Sequence, residues 1–284
     1  MDQHKHKIYL TVKDHSVSKQ TFGLYHDVKL DLLITFPKPQ IKELPAYYES
    51  EDYISHTDSN RSVFEKAYHY IKRRALKNKI NFINEMHPDR GYILDIGAGT
   101  GDFLAVAKHE NWQVIGIEPN QKAKAIAIKK GINLKESTQN LKNHSFDVIT
   151  MWHVLEHVPD LEFQLKELKR LLKPNGTIII AVPNFNSYDA KYYKSFWAAY
   201  DVPRHLWHFS KTAIKKLFHD RGMVLKNILP MKFDAFYVAL LSEKYKRGYM
   251  NYLMAFIVGM KSNFKAKQNL EYSSHIYIIE IIKI

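Results

Sequence analysis

The sequence predicts an α/β fold, in which helices pack on both faces of an open, doubly wound sheet of seven mostly parallel strands. Two observations support this prediction. Apolar runs of strand length alternate with helical periodicity over residues 91–284. A glycine-rich turn at 97–101 joins the first apolar run to a helical pattern, as at the ligand-binding corner of such sheets. A small β-rich appendage at 1–40 and a helical insertion at 233–265 complete the expected architecture.

The elements of this sheet follow one another along the chain. We expect strands near 92–96, 113–118, 132–136, 146–151, 176–182, 223–230 and 275–283, with one antiparallel strand late in the order. We expect helices near 60–87, 100–110, 120–130, 160–173 and 210–221. Four leucines recur at helical spacing in the fourth of these helices, and we interpret them as core packing: Leu161, Leu165, Leu168 and Leu172.

The chain divides into three predicted parts. Residues 1–40 alternate in the manner of short strands and end at two prolines, which terminate strands. Residues 41–90 contain a Tyr-rich segment and a long basic helix, and residues 91–284 form the main domain. The Tyr-rich segment 42–59 is either a plain surface linker or, with the basic helix and the aromatic insertion, a lid over the ligand-binding edge of the sheet.

Composition excludes several classes of protein. The chain has no cysteine, so it has no disulfide and no thiolate zinc site. Its longest apolar run, 249–260, is shorter than the roughly 20 residues that a membrane-spanning helix needs. The polar N-terminus does not resemble a secretory signal, so we expect a cytoplasmic protein. The net charge of +13 comes from lysines spread along the chain, which favours a solvated surface over a stable nucleic-acid site. A monomer and a homodimer both remain open.

The glycine-rich turn carries the strongest functional signal. Its spacing is G-x-G-x-G, from Gly97 to Gly101, whereas dinucleotide-binding domains use G-x-G-x-x-G. Asp95 lies two residues before the first glycine, where a carboxylate repels a pyrophosphate but attracts an ammonium or a sulfonium group. Glu118 ends the next apolar run and is suited to accept both hydroxyls of an adenosine ribose. An NAD-type domain is the alternative interpretation.

Two further phrases follow in order, HSFDVITMWHVLEHV at 144–158 and LKRLLKPNGTIIIAVPN at 168–184. With the glycine turn, they make residues 60–284 resemble class I S-adenosylmethionine-dependent methyltransferases, which have a Rossmann-like fold. The resemblance implies S-adenosylmethionine as cofactor, S-adenosylhomocysteine as product, and a small or medium-sized acceptor. The cofactor-binding residues that it implies are Asp95, Gly97, Ala98, Gly99, Gly101, Phe103, Glu118, Pro119, Asn120, Ser137, Thr138, Trp152 and His153.

The phrase after the fourth strand resembles the E-x-x-E-H pattern of ubiquinone-pathway O-methyltransferases, some of which bind a divalent cation there. His153 stands here in place of the first Glu of that pattern. A site of His153, Glu156 and His157 suits Zn, Mn or Fe better than Mg. In the metal-free interpretation, which we favour, His153 lies beside the methyl donor as a catalytic residue.

A second cluster spans residues 200–210 and resembles the HLWHF phrase of the segment that covers the acceptor in related methyltransferases. We expect His205 to be the general base, because the ordinary pKa of histidine lies close to neutral. Arg204 is expected to bind an anionic group of the substrate, and Tyr200 to line the same site. His208 is expected to be structural, and Ser210 to cap the following helix.

The N-terminal segment resembles the zinc-ribbon leader that precedes some bacterial methyltransferase domains. The phrase KDHSVSKQTF and the T-x-P-x-P ending at 35–39 carry this resemblance. The cysteines of the leader are absent, so we expect a metal-free remnant. Scattered histidines at positions 4, 6, 15 and 26 lack the paired spacing of zinc ligands.

The resemblance favours methyl transfer to oxygen, because the ubiquinone-type phrase is present. Carbon methylation of a nucleotide-linked sugar is the neighbouring alternative, because zinc-ribbon leaders occur in such enzymes. A third alternative is a cofactor-binding module without its own catalysis, whose basic surface associates with RNA or a membrane.

Overall fold

The computed structural model describes residues 7–48 and 63–282 of the chain. Its strands are β1 (Lys7–Lys13), β2 (Thr21–Asp27), β3 (Leu32–Phe36), β4 (Tyr92–Ile96), β5 (Gln113–Ile117), β6 (Leu134–Lys135), β7 (Phe146–Trp152), β8 (Leu172–Pro183), β9 (Trp207–Phe209), β10 (Met223–Pro230) and β11 (Ser274–Ile281). Its α-helices are α1 (Val63–Met86), α2 (Asp102–His109), α3 (Gln121–Lys129), α4 (Leu161–Leu171), α5 (Tyr188–Tyr193), α6 (Lys211–His219), α7 (Asp234–Arg247) and α8 (Tyr252–Asn269). None of the helices within these described ranges is long and apolar enough to span a membrane.

Seven strands form the main sheet in the order β10-β11-β8-β7-β4-β5-β6, so the predicted fold class is confirmed. The strand β4 pairs in parallel with β5 and β7, and β5 pairs in parallel with β6. Leu94 and Ile96 of β4 and Val148 and Ile149 of β7 are buried, which is the near-continuous apolar pattern of strands covered on both faces.

The boundary between α4 and β8 differs from the prediction. The helix ends at Leu171, and β8 begins at Leu172, whereas the sequence suggested a helix to 173 and a strand from 176. Leu161, Leu165 and Leu168 are buried as the helical stripe predicted. Leu172 is buried too, but as the first residue of a strand, so helical spacing alone did not locate the end of the helix.

The chain forms two compact units that interleave along the sequence. The first unit consists of residues 1–50, 153–161 and 180–278. The second unit consists of residues 51–152, 162–179 and 279–284. The division at residues 40 and 90 that the sequence suggested stays a prediction, and the part of the Tyr-rich segment from 49 to 59 lies outside the described residues.

The N-terminal strands form a separate antiparallel sheet in the first unit, with the order β1-β2-β3-β9. The strand β9 was not predicted, and it pairs Leu32, Leu33 and Ile34 with Phe209, His208 and Trp207. Alternate side chains of β2 and most side chains of β3 are buried, and Leu24 and Leu33 are fully buried in a core of the same unit. The HLWHF phrase is therefore partly a strand that extends the N-terminal sheet.

The predicted helical insertion consists of α7 and α8. Asn251 caps α8 by accepting a hydrogen bond from the backbone N–H of Met254, and Gly248 ends α7 in the left-handed conformation with φ 84°. Gly259 of α8 allows close approach, because a Cβ at this position would lie 2.6 Å from Phe236 of α7. The two helices therefore pack tightly through small residues.

Asp189 is a buried carboxylate of the first unit whose hydrogen-bond donors are all side chains from other segments. It is fully buried and accepts hydrogen bonds from Trp197 Nε1 at 2.8 Å, Ser262 Oγ at 2.7 Å and Ser273 Oγ at 2.7 Å. These donors come from the loop after α5, from α8 and from the segment before β11. One carboxylate thus ties three distant parts of the unit together.

Replacing this carboxylate should destabilise the protein. We expect Asp189→Ala to lower the free energy of unfolding by about 3 kcal/mol or more, because it leaves three buried donors without an acceptor. Urea unfolding followed by circular dichroism measures the change. Asp220→Ala, at an exposed aspartate of the same unit, is the matched control and should change stability by less than about 0.5 kcal/mol. Equal effects of the two substitutions would contradict this assignment.

Candidate cofactor and acceptor sites

The glycine-rich turn of the second unit requires glycine at each of its three alternate positions. Gly97, Gly99 and Gly101 have φ of 73°, 52° and 75°, which side chains disfavour. The backbone N–H groups of Gly97 and Ala98 both donate to the carbonyl of Ile117, at 2.8 and 3.0 Å, so the turn is fastened to the end of β5. Among the described residues, no atom beyond the chain neighbours of Gly99 lies within 4 Å of the place where its Cβ would be, so this part of the turn is open on that side.

Glu118, directly after β5, is held by the same turn. Its Oε2 accepts a hydrogen bond from the backbone N–H of Gly99 at 2.9 Å, and its Oε1 accepts one from the backbone N–H of Asn120 at 2.9 Å. The carboxylate is therefore fixed between two loops while remaining half-exposed. This orientation leaves lone pairs for further donors such as the hydroxyls of a ribose.

Asp95 is the buried carboxylate at the end of β4. Its side chain is 3 % exposed, and Oδ1 accepts a hydrogen bond from Thr150 Oγ1 on β7 at 2.6 Å. Burial raises the pKa of Asp95 to about 7, although Thr150 and the Lys79 ammonium act in the opposite direction and the Glu118 carboxylate adds to the rise. The group is thus poised to ionise when a cation binds beside it.

Trp152 is the last residue of β7, and its side chain packs within the second unit. Its ring meets Phe103 of α2 edge-on, with centroids 5.7 Å apart, and Lys79 Nζ lies 3.9 Å from its centroid. The indole Nε1 is buried and has no hydrogen-bond partner among the described residues. An unsatisfied buried donor of this kind is typical of a place that a ligand or water completes.

The other predicted cofactor residues have simpler surroundings. Pro119 and Asn120 are exposed, and Asn120 caps α3 by accepting from the backbone N–H of Ala123 at 3.1 Å. Ser137 is exposed after β6. Thr138 is buried, and its hydroxyl donates to Glu167 at 2.6 Å. The backbone of Thr138 remains a candidate neighbour of the adenine, whereas its hydroxyl already donates to Glu167.

His153 begins the part of the first unit that follows β7. It has φ 56°, an unusual value for a residue with a side chain, and its backbone N–H donates to the carbonyl of Ala181 at 2.9 Å. Its Nδ1 lies 3.4 Å from Glu156 Oε1 and its Nε2 lies 3.1 Å from Asp234 Oδ2. Burial disfavours the charged ring, but the two carboxylates prevail and raise the pKa of His153 to about 10. His153 is therefore an imidazolium at neutral pH.

Glu156, His157 and His205 form a second group in the first unit. One potential ligand atom of each lies within 4.8 Å of the others, so the three side chains can hold a divalent cation. Glu156 Oε1 faces His153 Nδ1, whereas Glu156 Oε2 is buried without a hydrogen-bond partner among the described residues, which fits such a role. His205 thus takes the place that sequence spacing gave to His153 in a metal site. The metal-free expectation stays a prediction.

The two neighbouring histidines of this group are fixed by their Nδ1 atoms. His205 Nδ1 lies 2.8 Å from the carbonyl of Ala199 and donates to it, because a carbonyl only accepts. His157 Nδ1 lies 3.0 Å from the hydroxyl of Tyr48, and the rings of His157 and His205 meet edge-on with centroids 4.5 Å apart. Burial lowers the pKa of His157 to about 4, so His157 is neutral. Because Nδ1 of His205 is committed to the carbonyl, Nε2 is the nitrogen left for other partners, with Asp201 Oδ2 4.0 Å away.

Arg204 does not have the surroundings that the sequence suggested. Its guanidinium is buried, with Nη2 2.6 Å from Asp201 Oδ1 and 3.1 Å from Asp14 Oδ1, and Nη1 donates to the carbonyl of Tyr47 at 3.1 Å. These partners direct most of its donors inward, so the geometry gives Arg204 a structural role and disfavours the expected contact with an anionic substrate.

Tyr200 is also more buried than a substrate-lining residue requires. Its side chain is 1 % exposed, and it packs edge-on against Trp197 and His208. Burial raises its pKa well above the ordinary value, so the phenol stays protonated. His208 donates through Nε2 to Thr35 Oγ1 at 3.0 Å, because the Thr35 hydroxyl itself donates to the carbonyl of His205. His208 is thus structural in this arrangement.

Three carboxylates that sequence reasoning did not single out are central to the first unit: Asp14, Asp201 and Asp234. Asp14 is buried and accepts from the backbone and hydroxyl groups of Ser16 and Ser18, which with Arg204 lower its pKa despite burial. Asp201 lies within the cluster 200–210, so its position beside Arg204 was the available signal. Asp234 had no signal, because its partner His153 is far away in sequence.

Comparison with known proteins identifies the family. A family model described as a methyltransferase domain matches residues 68–226, which is more than half of the chain. The chain belongs to this methyltransferase family. The match confirms the resemblance to class I S-adenosylmethionine-dependent methyltransferases that the glycine turn and the later phrases indicated.

Curated and solved relatives agree with this assignment. The ubiquinone biosynthesis O-methyltransferase of Yersinia pestis (strain Pestoides F) is 31 % identical over 105 residues, which cover 34 % of this chain and 43 % of the relative. The chain thus spans less than half the length of the curated relatives that it matches. Two solved structures share the fold. Geranyl diphosphate C-methyltransferase of Streptomyces coelicolor A3(2) superposes with TM-score 0.52 at 13 % identity, over 81 % of this chain and 88 % of that one. A protein of Galdieria sulphuraria described as a candidate sarcosine dimethylglycine methyltransferase superposes with TM-score 0.51 at 14 % identity, over 74 % of this chain and 85 % of that one.

The second unit of this methyltransferase fits S-adenosylmethionine chemically. A buried carboxylate at Asp95 suits the cationic methionine portion, and the fixed carboxylate of Glu118 suits the ribose hydroxyls. Within the part of the chain that the structure describes, the space over Gly99 lets a ligand approach the backbone, and the Trp152 Nε1 donor has no partner. The individual assignments of these residues to the cofactor stay predictions.

Because the pKa of Asp95 is raised in the folded protein, replacing its carboxyl group by an uncharged amide should stabilise the protein by an amount that depends on pH. A carboxyl group whose pKa is higher in the folded state destabilises that state as pH rises from about 4 to about 7. We therefore expect Asp95→Asn to stabilise the cofactor-free protein increasingly over this range, by roughly 4 kcal/mol at most, and by a constant amount above it.

Urea unfolding of wild type and Asp95→Asn at pH 4.5, 6 and 8 measures this difference. Asp89→Asn, at an exposed turn of the same unit, is the control and should match wild type at each pH. A difference between Asp95→Asn and wild type that does not grow with pH would show that Asp95 ionises at its ordinary pKa.

Proposed function

We propose that this protein transfers the methyl group of S-adenosylmethionine to a hydroxyl oxygen of a small or medium-sized acceptor. The observation that carries the proposal is the orientation of His205, whose Nδ1 donates to a backbone carbonyl and whose Nε2 is left to accept a proton. The same proposal gives the protein a small-molecule partner rather than nucleic acid, a cytoplasmic location and a monomeric or homodimeric state.

In this proposal the second unit binds and orients the cofactor. When bound, S-adenosylmethionine supplies an electrophilic methyl group on a positively charged sulfur. Glu118 accepts hydrogen bonds from the ribose hydroxyls while its own position is fixed by Gly99 and Asn120. Asp95 ionises as the cationic methionine portion approaches, and the backbone from Gly97 to Gly101 provides the close contact that side chains would block.

His205 is the proposed general base. Its Nε2 takes the proton of the acceptor hydroxyl as that oxygen attacks the methyl carbon, and the electron pair of the broken carbon–sulfur bond stays on sulfur. Asp201 Oδ2 lies 4.0 Å from His205 Nε2, so it stabilises the imidazolium that forms. The Ala199 carbonyl keeps the ring in the tautomer that this step needs.

His153 has a different proposed role, because it is already protonated. Its pKa of about 10 excludes it as a base at neutral pH, but its positive charge favours a developing oxyanion on the acceptor. Glu156 and Asp234 hold the ring in place through its two nitrogens. Both sequence-predicted catalytic histidines thus keep a proposed role, one as base and one as fixed cation.

Loss of the Glu118 carboxylate should weaken cofactor binding. We expect Glu118→Ala to raise the dissociation constant of S-adenosylhomocysteine by about tenfold or more, because charged hydrogen bonds contribute roughly 1.5–3 kcal/mol each. Isothermal titration calorimetry measures this change, and Glu85→Ala, an exposed glutamate on α1, is the control. An unchanged dissociation constant would remove Glu118 from the ribose site, and comparable affinity for NAD would refute the choice of cofactor.

Loss of the His205 acceptor should stop methyl transfer without loss of cofactor. We expect His205→Asn to lower the rate by about a hundredfold or more at neutral pH, because the asparagine amide can still donate to Ala199 but cannot accept a proton. The affinity for S-adenosylhomocysteine should stay within a few-fold of wild type. His219→Asn, at an exposed histidine of the first unit, should leave both quantities unchanged.

A product assay across acceptor classes checks this prediction and separates the alternatives. Phenols and catechols represent oxygen acceptors, and nucleotide-linked sugars represent the carbon acceptors of the alternative enzyme class. Methylation that survives in His205→Asn would show that another group is the base. Tight cofactor binding without a methylated product from any class would favour the non-catalytic module.

A further inference from the structure

Helix α8 buries its small side chains and exposes its large apolar ones. The face that packs inside the first unit consists of small or medium residues, all of them buried: Ala255, Val258, Gly259, Ser262 and Ala266. The opposite face carries large apolar side chains. A helix at the surface of a folded protein ordinarily does the reverse, because large side chains gain most from burial.

The large side chains lie on one side of the helix and extend onto α7. Leu253, Phe256, Met260 and Phe264 recur at intervals of three and four residues, and their exposed fractions are 70, 58, 50 and 64 %. Phe233 and Tyr237, at the start of α7, are 76 and 54 % exposed. The rings of Phe236 and Phe256 are 5.8 Å apart, which joins the two helices along this surface. We refer to these six exposed side chains as the outer apolar face.

Six large exposed apolar side chains on two packed helices are more than the scattered exposure of an ordinary protein surface. They are not needed to hold α8 in place, because its buried small residues and the Asn251 cap do so. A surface of this kind is therefore covered by a partner when the protein functions.

The charges around the outer apolar face indicate the chemistry of that partner. Helix α8 contains three lysines, Lys261, Lys265 and Lys267, and no aspartate or glutamate. All three are exposed, as is Lys232 directly before Phe233. A second copy of the chain would bring two sets of lysines together without acidic residues of α8 to pair with them. The complementary partner is anionic and apolar at once.

We propose that the outer apolar face binds the surface of a membrane that contains anionic lipids. The apolar side chains enter the boundary between headgroups and acyl chains, while the lysines extend their stems toward the headgroup phosphates. Helix α8 then lies in the plane of the membrane, because it is not long and apolar enough to span one. This inference goes beyond the proposed methyl transfer and does not depend on it.

Vesicle cosedimentation of the full chain tests the proposal. Vesicles of equal parts phosphatidylglycerol and phosphatidylcholine are compared with vesicles of phosphatidylcholine alone, at low and at high salt. We expect wild type to bind the anionic vesicles at least tenfold more tightly, with a loss of affinity at high salt that reflects the lysines. Leu253→Ser/Phe264→Ser should weaken this binding about tenfold or more.

Matched variants separate the outer apolar face from general hydrophobicity and general charge. Ile41→Ser/Ile128→Ser removes two equally exposed apolar side chains elsewhere and should bind as wild type does. Lys261→Gln/Lys267→Gln should bind less tightly and depend less on salt, whereas Lys129→Gln/Lys142→Gln, at two exposed lysines of the second unit, should not. Circular dichroism and unaltered affinity for S-adenosylhomocysteine check that each variant is folded.

Three results would overturn the proposal. The first is absence of binding to anionic vesicles by folded wild type. The second is equal binding by wild type and Leu253→Ser/Phe264→Ser. The third is a concentration-dependent dimer in analytical ultracentrifugation that Leu253→Ser/Phe264→Ser abolishes, because it would show that a second copy covers the outer apolar face.

Discussion

A carboxylate removed from water must be met by donors or by a cation, and this constraint shapes both units of the protein. Asp189 has three donors from separate segments of the first unit. Arg204 joins Asp14 and Asp201, so the N-terminal strands and the segment before β9 are held by one buried ion cluster. In the second unit the buried Asp95 accepts from Thr150, and the half-exposed Glu118 receives two backbone N–H groups, which fixes the glycine turn against the end of β5. The architecture of each unit follows from where these partners are.

The same constraint separates two neighbouring histidines by their charge. His153 faces Glu156 and Asp234 and is charged, with a pKa raised to about 10. His157 is buried, and its pKa falls to about 4, so it is neutral. His205 donates through Nδ1 to a carbonyl, which leaves its Nε2 for other partners. One residue type therefore supplies a charged and a neutral ring, because the groups that face each ring differ.

Local patterns predicted much of the fold and part of the candidate site. The glycine turn, the apolar strands and the cap at Ser210 depend on residues close in sequence, and the structure has them where they were expected. Short apolar runs also located the seven strands of the main sheet, although the end of α4 at Leu171 and the start of β8 at Leu172 were placed wrongly. The strand β9 was missed, because its three residues become a strand only by pairing with β3.

The sequence by itself determined the family and the type of fold, because these rest on a short turn and on period-two and period-3.6 patterns. Only the tertiary structure decided which charged side chains are paired. Arg204 resembled a substrate ligand until its partner Asp14, 190 residues away, was located. One carboxylate that stabilises protonated His153 comes from Asp234 at the start of α7. Such partners are brought together by long-range packing, so no regular interval between them in the sequence predicts the pairing.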